Sequence, residues 1–519
     1  MKRSFNMLLI IILVGIVYDS HGANILVYLP SLAPSHAKPF YPLFIELAKR
    51  GHNVTMLSRF PLDTKIENCT YLPISDLYPM PKNGFAYFQE LTRVENYIQM
   101  HNIASDVAVG NKDDPNTRFI FQSKSNSFDI VMTQLYHMDS CFALAGHFHA
   151  PIIGLSFQSM VPVYNWILKN PMQFSYIPHL YLPFSDDMDF VQRLSNTLFG
   201  VFSVLFYHIV SLPKYQSNVN TMMKSVNNAD ETLNFEQLTQ NLSLILVESH
   251  FSVDFPKPNL PNVIDVAGIH ITPPKPLQND IADFIDGART GIIYISLGTL
   301  IDPITMTAFG QKLFSILKKF PEHRVIWKWN PKLVKNRPDN FLIREWLPQA
   351  DILRHPKTKL FISHGGHHSV IESVHGGVPI LCFPFFTDQH HSAAVIKKYD
   401  FGLQEDLEAN EHDILEKIQQ LLFHKKYAEN AKKQSIILKD RPMNPMNLAV
   451  YWTEYVIRHK GALHLKSAAT QLSWYKYLLL DVAAFCIFFI LLFIYIMKFS
   501  LAILYKSYSK ISLRKLKKC

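Results

Sequence analysis

The chain has 519 residues, 48% of them apolar and 18% charged, which is enough for two domains with a full core each and too apolar for a disordered protein. Its formal charge of +9 sits mainly at the C-terminus, where residues 498–519 hold seven Lys or Arg and no acid. The remainder is close to neutral once Lys2 and Arg3 are set aside, so the charge makes no case for nucleic-acid binding.

The first elements are predicted from apolar patterning. Lys2 and Arg3, an apolar run from Met7 to Val17, and the small residues Ser20 and Gly22 predict a signal peptide over residues 1–22. Secretory entry gives meaning to the N-glycosylation sequons at Asn53, Asn68 and Asn241. "NILVYLP" from Asn24 reads as a buried strand, Lys38–Arg50 as a helix stopped by Gly51, and "NVTMLS" from Asn53 as the next strand, which makes a parallel unit. "FDIVMTQ" and "APIIGLSF" continue the series. An aromatic, Pro-punctuated region follows from about Tyr164 to Pro213. Within it Leu198–Val210 is apolar on all sides and too short to span a membrane; it suits a pocket wall, a bilayer-surface contact or a buried helix.

"NLSLILVES" resumes the sheet, and Pro256–Pro276 reads as a linker. A second alternating series begins at "GIIYISLGT" and runs through "RVIWKW", "FLIREW", "TKLFISH" and "VPILCFP". The expected fold class is α/β, with two Rossmann-like parallel-sheet domains facing across a cleft and one C-terminal transmembrane helix. The expected divisions are 23–265, 266–455, a juxtamembrane segment 456–476, a span 477–497 with Asp481 near the interface, and a basic cytoplasmic tail 498–519. Lys515 and Lys517 in "KLKKC" have the spacing of an endoplasmic-reticulum retrieval signal. Of five cysteines, Cys486 falls in the span and Cys519 in the tail. Cys69, Cys141 and Cys382 have no regular spacing and predict neither a disulfide framework nor a zinc site.

The chemistry concentrates in Phe361–His391. A strand ends at His364, and the turn residues Gly365 and Gly366 leave backbone N–H groups open at the start of a helix from His367 to His375, where peptide dipoles favour a diphosphate. Ser369 can add a hydroxyl. Glu372, on the same helical face, is placed to accept from ribose hydroxyls, and Asp388 and Gln389 from those of a sugar. The pairs His364 with His367 and His390 with His391 lack a spaced third ligand, so no metal is expected there.

Taken together, His364-Gly365-Gly366, Ser369, Glu372, Gly377–Pro379, Pro384 and Asp388-Gln389 resemble the signature of the UDP-glycosyltransferases of the membrane-bound animal type. "WLPQADILRHPKTKLFISHGG" is also similar to that family, and the resemblance implies that Trp346 and Gln349 hold the uracil. On its own, Trp346 would be read as core. "SLGT" resembles the family's loop beside the phosphates, with Ser296, Gly298 and Thr299. Nearly the whole mature chain shares the resemblance, which implies a GT-B fold with the donor in the second domain and the acceptor in the first. Ser363 stands where the family usually has Thr, and Ser392 where it often has Asn.

Transfer to a hydroxyl needs a base, a positioned anomeric carbon and stabilisation of the departing UDP. His36, in the loop after the first strand, is the candidate base and falls at the position of the family's catalytic histidine. Many members carry an acid where this chain has Gln134, which could accept from His36. Asp139, five residues on, is the carboxylate expected to pair with His36 instead. The expected reaction is inverting transfer of a hexose, glucose favoured over glucuronic acid, from UDP-glucose or UDP-glucuronate to a small lipophilic hydroxyl acceptor, with no metal cofactor. The expected placement is single-pass in the endoplasmic reticulum membrane with the catalytic domains in the lumen. A homo-oligomer is compatible with the sequence. The rival reading, motivated by Gln134, is a membrane-anchored UDP-sugar and lipophile-binding protein without turnover.

Overall fold

A computed structural model describes residues 22–31, 33–62, 64–75, 86–123, 127–225 and 233–516. The predicted signal segment through residue 21 and the end of the predicted retrieval signal, 517–519, lie outside the described residues. The chain divides into two units, residues 1–466 and 467–519.

The first unit contains two parallel sheets. One has seven strands: β1 (Asn24–Leu29), β2 (Asn53–Ser58), β3 (Cys69–Pro73), β4 (Ile130–Gln134), β5 (Ile152–Ser156), β6 (Leu242–Val247) and β7 (Val263–Asp265). Their order is β3-β2-β1-β4-β5-β6-β7. The other has six: β8 (Ile292–Ser296), β9 (Arg324–Lys328), β10 (Phe341–Arg344), β11 (Thr358–Ser363), β12 (Ile380–Cys382) and β13 (Gly402–Gln404), ordered β10-β9-β8-β11-β12-β13. β4, β5, β6 and β8 are buried at every residue, as expected of apolar runs covered by helices on both faces. In each sheet the strand order reverses beside the first strand, at β1/β4 and at β8/β11, and these switch points open a crevice at the carboxyl ends of the strands.

Three strands lie outside the predicted series. β3 alternates partly exposed positions at a sheet edge, β7 falls inside the Pro-rich segment expected to be a linker, and β13 is three residues long.

The region from Phe190 to Lys224 is one helical stretch with a π turn at Tyr207–Ser211, which accommodates the missing N–H of Pro213. Asp189 and Gln192 cap its start reciprocally. Although Leu198–Val210 is apolar all round, the stretch is packed on one face only. Asn196, Phe199, Ser203 and Phe206 are buried, while Leu194, Leu198, Val201, Leu205 and Ile209 are exposed. The helix Pro445–Arg458, late in sequence, packs on the first sheet's side of the molecule against the helix Tyr41–Lys49, with Glu454 3.5 Å from Arg50 and 3.6 Å from His52.

The second unit is dominated by the helix Leu480–Leu516, whose apolar side chains are exposed through Tyr508. It is a candidate membrane span by length and composition, as is Phe190–Lys224. Asp481 lies in its first turn and accepts the Val482 N–H at 2.9 Å, which places the carboxylate at the positive end of the helix dipole.

Candidate active site

β1 ends in the loop that carries the short helix Pro34–Ala37, with Pro34 preset for the first turn. His36 on that helix stacks on Phe157, just beyond β5, with ring centroids 3.8 Å apart and planes 7° from parallel. Burial lowers its pKa to about 4, so the ring is neutral at pH 7.

The expected acid partner is elsewhere. Asp139 lies in the 3-10 turn Asp139–Cys141, fully buried, and its Oδ1 accepts from Tyr164 Oη at 2.8 Å. That hydroxyl in turn accepts the His137 N–H at 3.2 Å and the Tyr136 N–H. Burial pushes Asp139 up to about 7 although the Tyr164 bond pulls the other way. Asp139 therefore buttresses the loop after β4 and does not orient His36. Gln134 fails as a substitute, because its Oε1 is buried without a hydrogen-bond partner among the described residues. A helical turn begins at Asp139 and carries it into the core instead of folding back toward β1.

On the second sheet the loops converge. Ser296 ends β8, Lys328 ends β9 and Ser363 ends β11, paired across the sheet so that all three reach one rim. The His364 imidazole follows Ser363 and lies between Gly298 and Gly366. A Cβ at Gly298 would come within 2.6 Å of His364 Nε2, and one at Gly366 closer still. Burial, with Lys328 nearby, lowers the His364 pKa to about 4. Gly298 and Gly365 adopt φ of +88° and +80°, which L side chains rarely tolerate. The Gly365 N–H, expected to be open, donates to Ser363 Oγ at 3.2 Å. The amides left open at this rim are consequently the first ones of the helix His367–Gly376, which have no partner within the helix.

Gln349, Ser369 and Glu372 form one network. Gln349 Nε2 donates to Ser369 Oγ at 3.0 Å and to Glu372 Oε2 at 2.7 Å, and its Oε1 accepts from Tyr294 Oη at 3.2 Å. Trp346 is 71% exposed, so the core reading fails for it, and Lys328 Nζ stands 5.0 Å over its ring. Gln389 Oε1 accepts from the Phe385 N–H at 2.8 Å, which ties it to its own loop. Asp388 accepts from Thr387 Oγ1 at 2.8 Å, and burial raises its pKa.

The two rims enclose a cavity of about 420 Å³. It is lined from the second sheet by Ser296, Gly298, Thr299, Trp346, Gln349, His364, Gly366, Ser369, Glu372, Asp388 and Gln389. From the first sheet come His36, Met100, Tyr136 and Phe157. Of the predicted residues, Gly365 stands behind the wall and Asp139 apart from it. The lining groups that were not expected include Lys328 and His270. Lys328 donates to Gly298 O at 2.7 Å, and burial lowers its pKa to about 8. Its place at the end of "RVIWK", level with Ser296, was the signal that could have found it. His270 has no comparable signal in the sequence.

Histidines also join the two rims. His367 bonds the Glu248 carbonyl, and His391 Nε2 lies 2.9 Å from Asp254 Oδ1. Neither histidine pair considered from the sequence belongs to a three-ligand cluster among the described residues.

The family model for "UDP-glucoronosyl and UDP-glucosyl transferase" matches residues 35–515. "UDP-glycosyltransferase UGT4" of Dactylopius coccus is 46% identical over 93% of this chain and 95% of its own length. "UDP-glucosyltransferase 2" of the same species is 32% identical over 99% of each chain. Human "UDP-glucuronosyltransferase 2B15" is 29% identical over 85% of this chain and 86% of its own. Among solved structures, the calicheamicin glycosyltransferase CalG4 superposes with a TM-score of 0.55 at 17% identity, covering 84% of this chain and 99% of that one. A UDP-glucose: anthocyanidin 3-O-glucosyltransferase in complex with UDP gives 0.54 at 16%, covering 85% and 100%. With a GT-B architecture and a family match over most of its length, the chain belongs to the UDP-glycosyltransferase family.

Proposed function

We propose that the protein is an inverting hexosyltransferase of the endoplasmic reticulum membrane that moves glucose, in preference to glucuronic acid, from UDP to a hydroxyl of a small lipophilic acceptor. The observation that carries this reading is the shared cavity, with His36 on one wall and the His364–Glu372 loop and helix on the other. In this reading the uracil lies against Trp346 and Gln349, and the diphosphate meets the amides at the start of His367–Gly376, with His364 and Lys328 alongside. Met100, Tyr136 and Phe157 offer an apolar surface to the acceptor.

His36, neutral at rest, takes the acceptor proton as the hydroxyl attacks the anomeric carbon, and one direct displacement inverts it. Among the described residues the imidazolium has no carboxylate partner. The negative charge of the bound diphosphate, entering the same cavity, favours it instead. The departing UDP is stabilised by the helix amides and the buried Lys328.

Three features favour glucose. Asp388 and Gln389, at the expected sugar end, supply no cation for a glucuronate carboxylate, and Lys328 stands with the diphosphate in this reading. A glucosyltransferase is also among the relatives that match end to end. The basic residues after the span support a lumenal orientation. A donor screen tests the reading. UDP release with a generic phenol should be faster with UDP-glucose than with UDP-glucuronate, and the reverse order would overturn the sugar assignment.

A further inference from the structure

Glu248, His270 and His368 meet where the two rims of the cavity approach each other. Glu248 stands one residue beyond β6, His270 in the segment after β7, and His368 in the first turn of His367–Gly376. One ligand-type atom from each lies within 4.8 Å of the other two.

The cluster is oriented from outside. Glu248 is fully buried, and its Oε2 accepts the Gly268 N–H at 3.0 Å. The other oxygen, Oε1, is thereby held 3.4 Å from His270 Nδ1 and 3.8 Å from His368 Nε2. His368 Nε2 is buried and has no hydrogen-bond partner among the described residues. The far nitrogen of His270, Nε2, faces Glu372 Oε1 at 3.4 Å. A carboxylate behind a histidine is the usual outer support of a metal ligand, because it fixes the ring and raises its basicity.

We propose that Glu248 Oε1, His270 Nδ1 and His368 Nε2 form a binding site for one divalent transition-metal ion of the zinc class. Two imidazoles and one carboxylate are a recognised zinc set, with the fourth position left to water. Tetrahedral zinc places such donor atoms about 3.4 Å apart. The Glu248–His270 pair already meets that spacing, and the widest separation needs to close by about 1.4 Å at most, within the reach of imidazole χ rotations. Binding exchanges the His270 Nδ1 proton, released to solvent, for the metal, while Nε2–H stays directed at Glu372. His270 and His368 line the cavity and Glu248 stands behind them, so the open position faces the cavity.

The ion joins the end of the first sheet to the donor-side helix and acts as a clamp on the cleft. It takes no part in the transfer itself. The inference stands independently of the sugar and acceptor assignments, because its readout is metal binding.

Full-length protein in detergent micelles, without a histidine tag and stripped by a chelator, is titrated with zinc against a chromophoric competitor. The expected result is one zinc per chain in the wild type, with affinity lowered about tenfold or more by Glu248→Gln and by His368→Ala. Cobalt(II) should give intense visible bands of a four-coordinate site, lost in both variants. Glu248→Gln is isosteric and keeps an acceptor for Gly268, and thermal melting confirms that each variant is folded. Zinc binding equal in wild type and both variants, or no zinc bound by the wild type, overturns the proposal.

Discussion

The rims of the two sheets have the same architecture and were unequally readable. In the proposed reading the loops around β8, β9 and β11 serve one guest, a nucleotide diphosphate, and the demands of that guest are local. A glycine must clear His364, a helix must start beside it, and a glutamine must reach Ser369 and Glu372. Those demands leave a contiguous signature in the sequence. In the same reading the loops around β1, β4 and β5 serve an acceptor that needs only a base and an apolar wall. His36 is held by stacking on Phe157, which is 121 positions away and carries no motif.

The largest effect expected from this contrast is His36→Ala, which should lower kcat by about 10²–10⁴-fold while leaving UDP affinity unchanged. Equal losses in binding and turnover would erase the division of labour between the rims.

Next come His364→Ala and Gly366→Ala. The first removes the ring; the second puts a Cβ where the ring lies. Both should weaken UDP binding by about tenfold, measured by calorimetry. A normal Kd in either would mean that the diphosphate sits elsewhere.

Lys328→Gln should weaken UDP binding by about three- to tenfold. Because burial lowers the Lys328 pKa to about 8, its charge is lost as pH rises through that value. Wild-type UDP affinity should therefore decline between about pH 7 and 9 and the variant's should not, an outcome that parallel slopes would exclude.

The smallest effect on activity belongs to Asp139→Asn, with kcat within about threefold of wild type, since Asp139 bonds Tyr164 and not the base. Its signature is in stability. Burial raises the pKa from 3.8 to about 7, so the folded protein holds a proton that the unfolded chain releases. That contribution is fully present below about pH 4 and is lost as pH rises to about 7. Thermal melting of the wild type relative to the variant should fall across that window, and a large kcat loss at unchanged stability would restore Asp139 as the partner of His36.

Most of the fold was legible because buried parallel strands write themselves as apolar runs. β3, β7 and β13 were not, being short or partly exposed, with pairing set by neighbours distant in sequence. At the site, the loop and helix from His364 to Glu372 were legible as part of the cavity wall, with one difference: Ser363 Oγ accepts from the Gly365 amide, which leaves the open amides to the helix itself. Trp346 needed the family resemblance, because an aromatic after a strand looks like core whether it is buried or, as here, exposed. The Glu248–His270–His368 cluster could not be read at all. Its members come from three separate segments, and only the approach of the two rims assembles them.

The central claim is that the start of the helix His367–Gly376 holds the donor diphosphate across the cavity from His36. A structure determined with UDP bound tests it most directly. The β-phosphate should accept from amides of the first turn at Gly366–His368, with the uracil on Trp346 and the cavity open toward His36. UDP seated away from that helix end, or facing away from His36, would contradict the account.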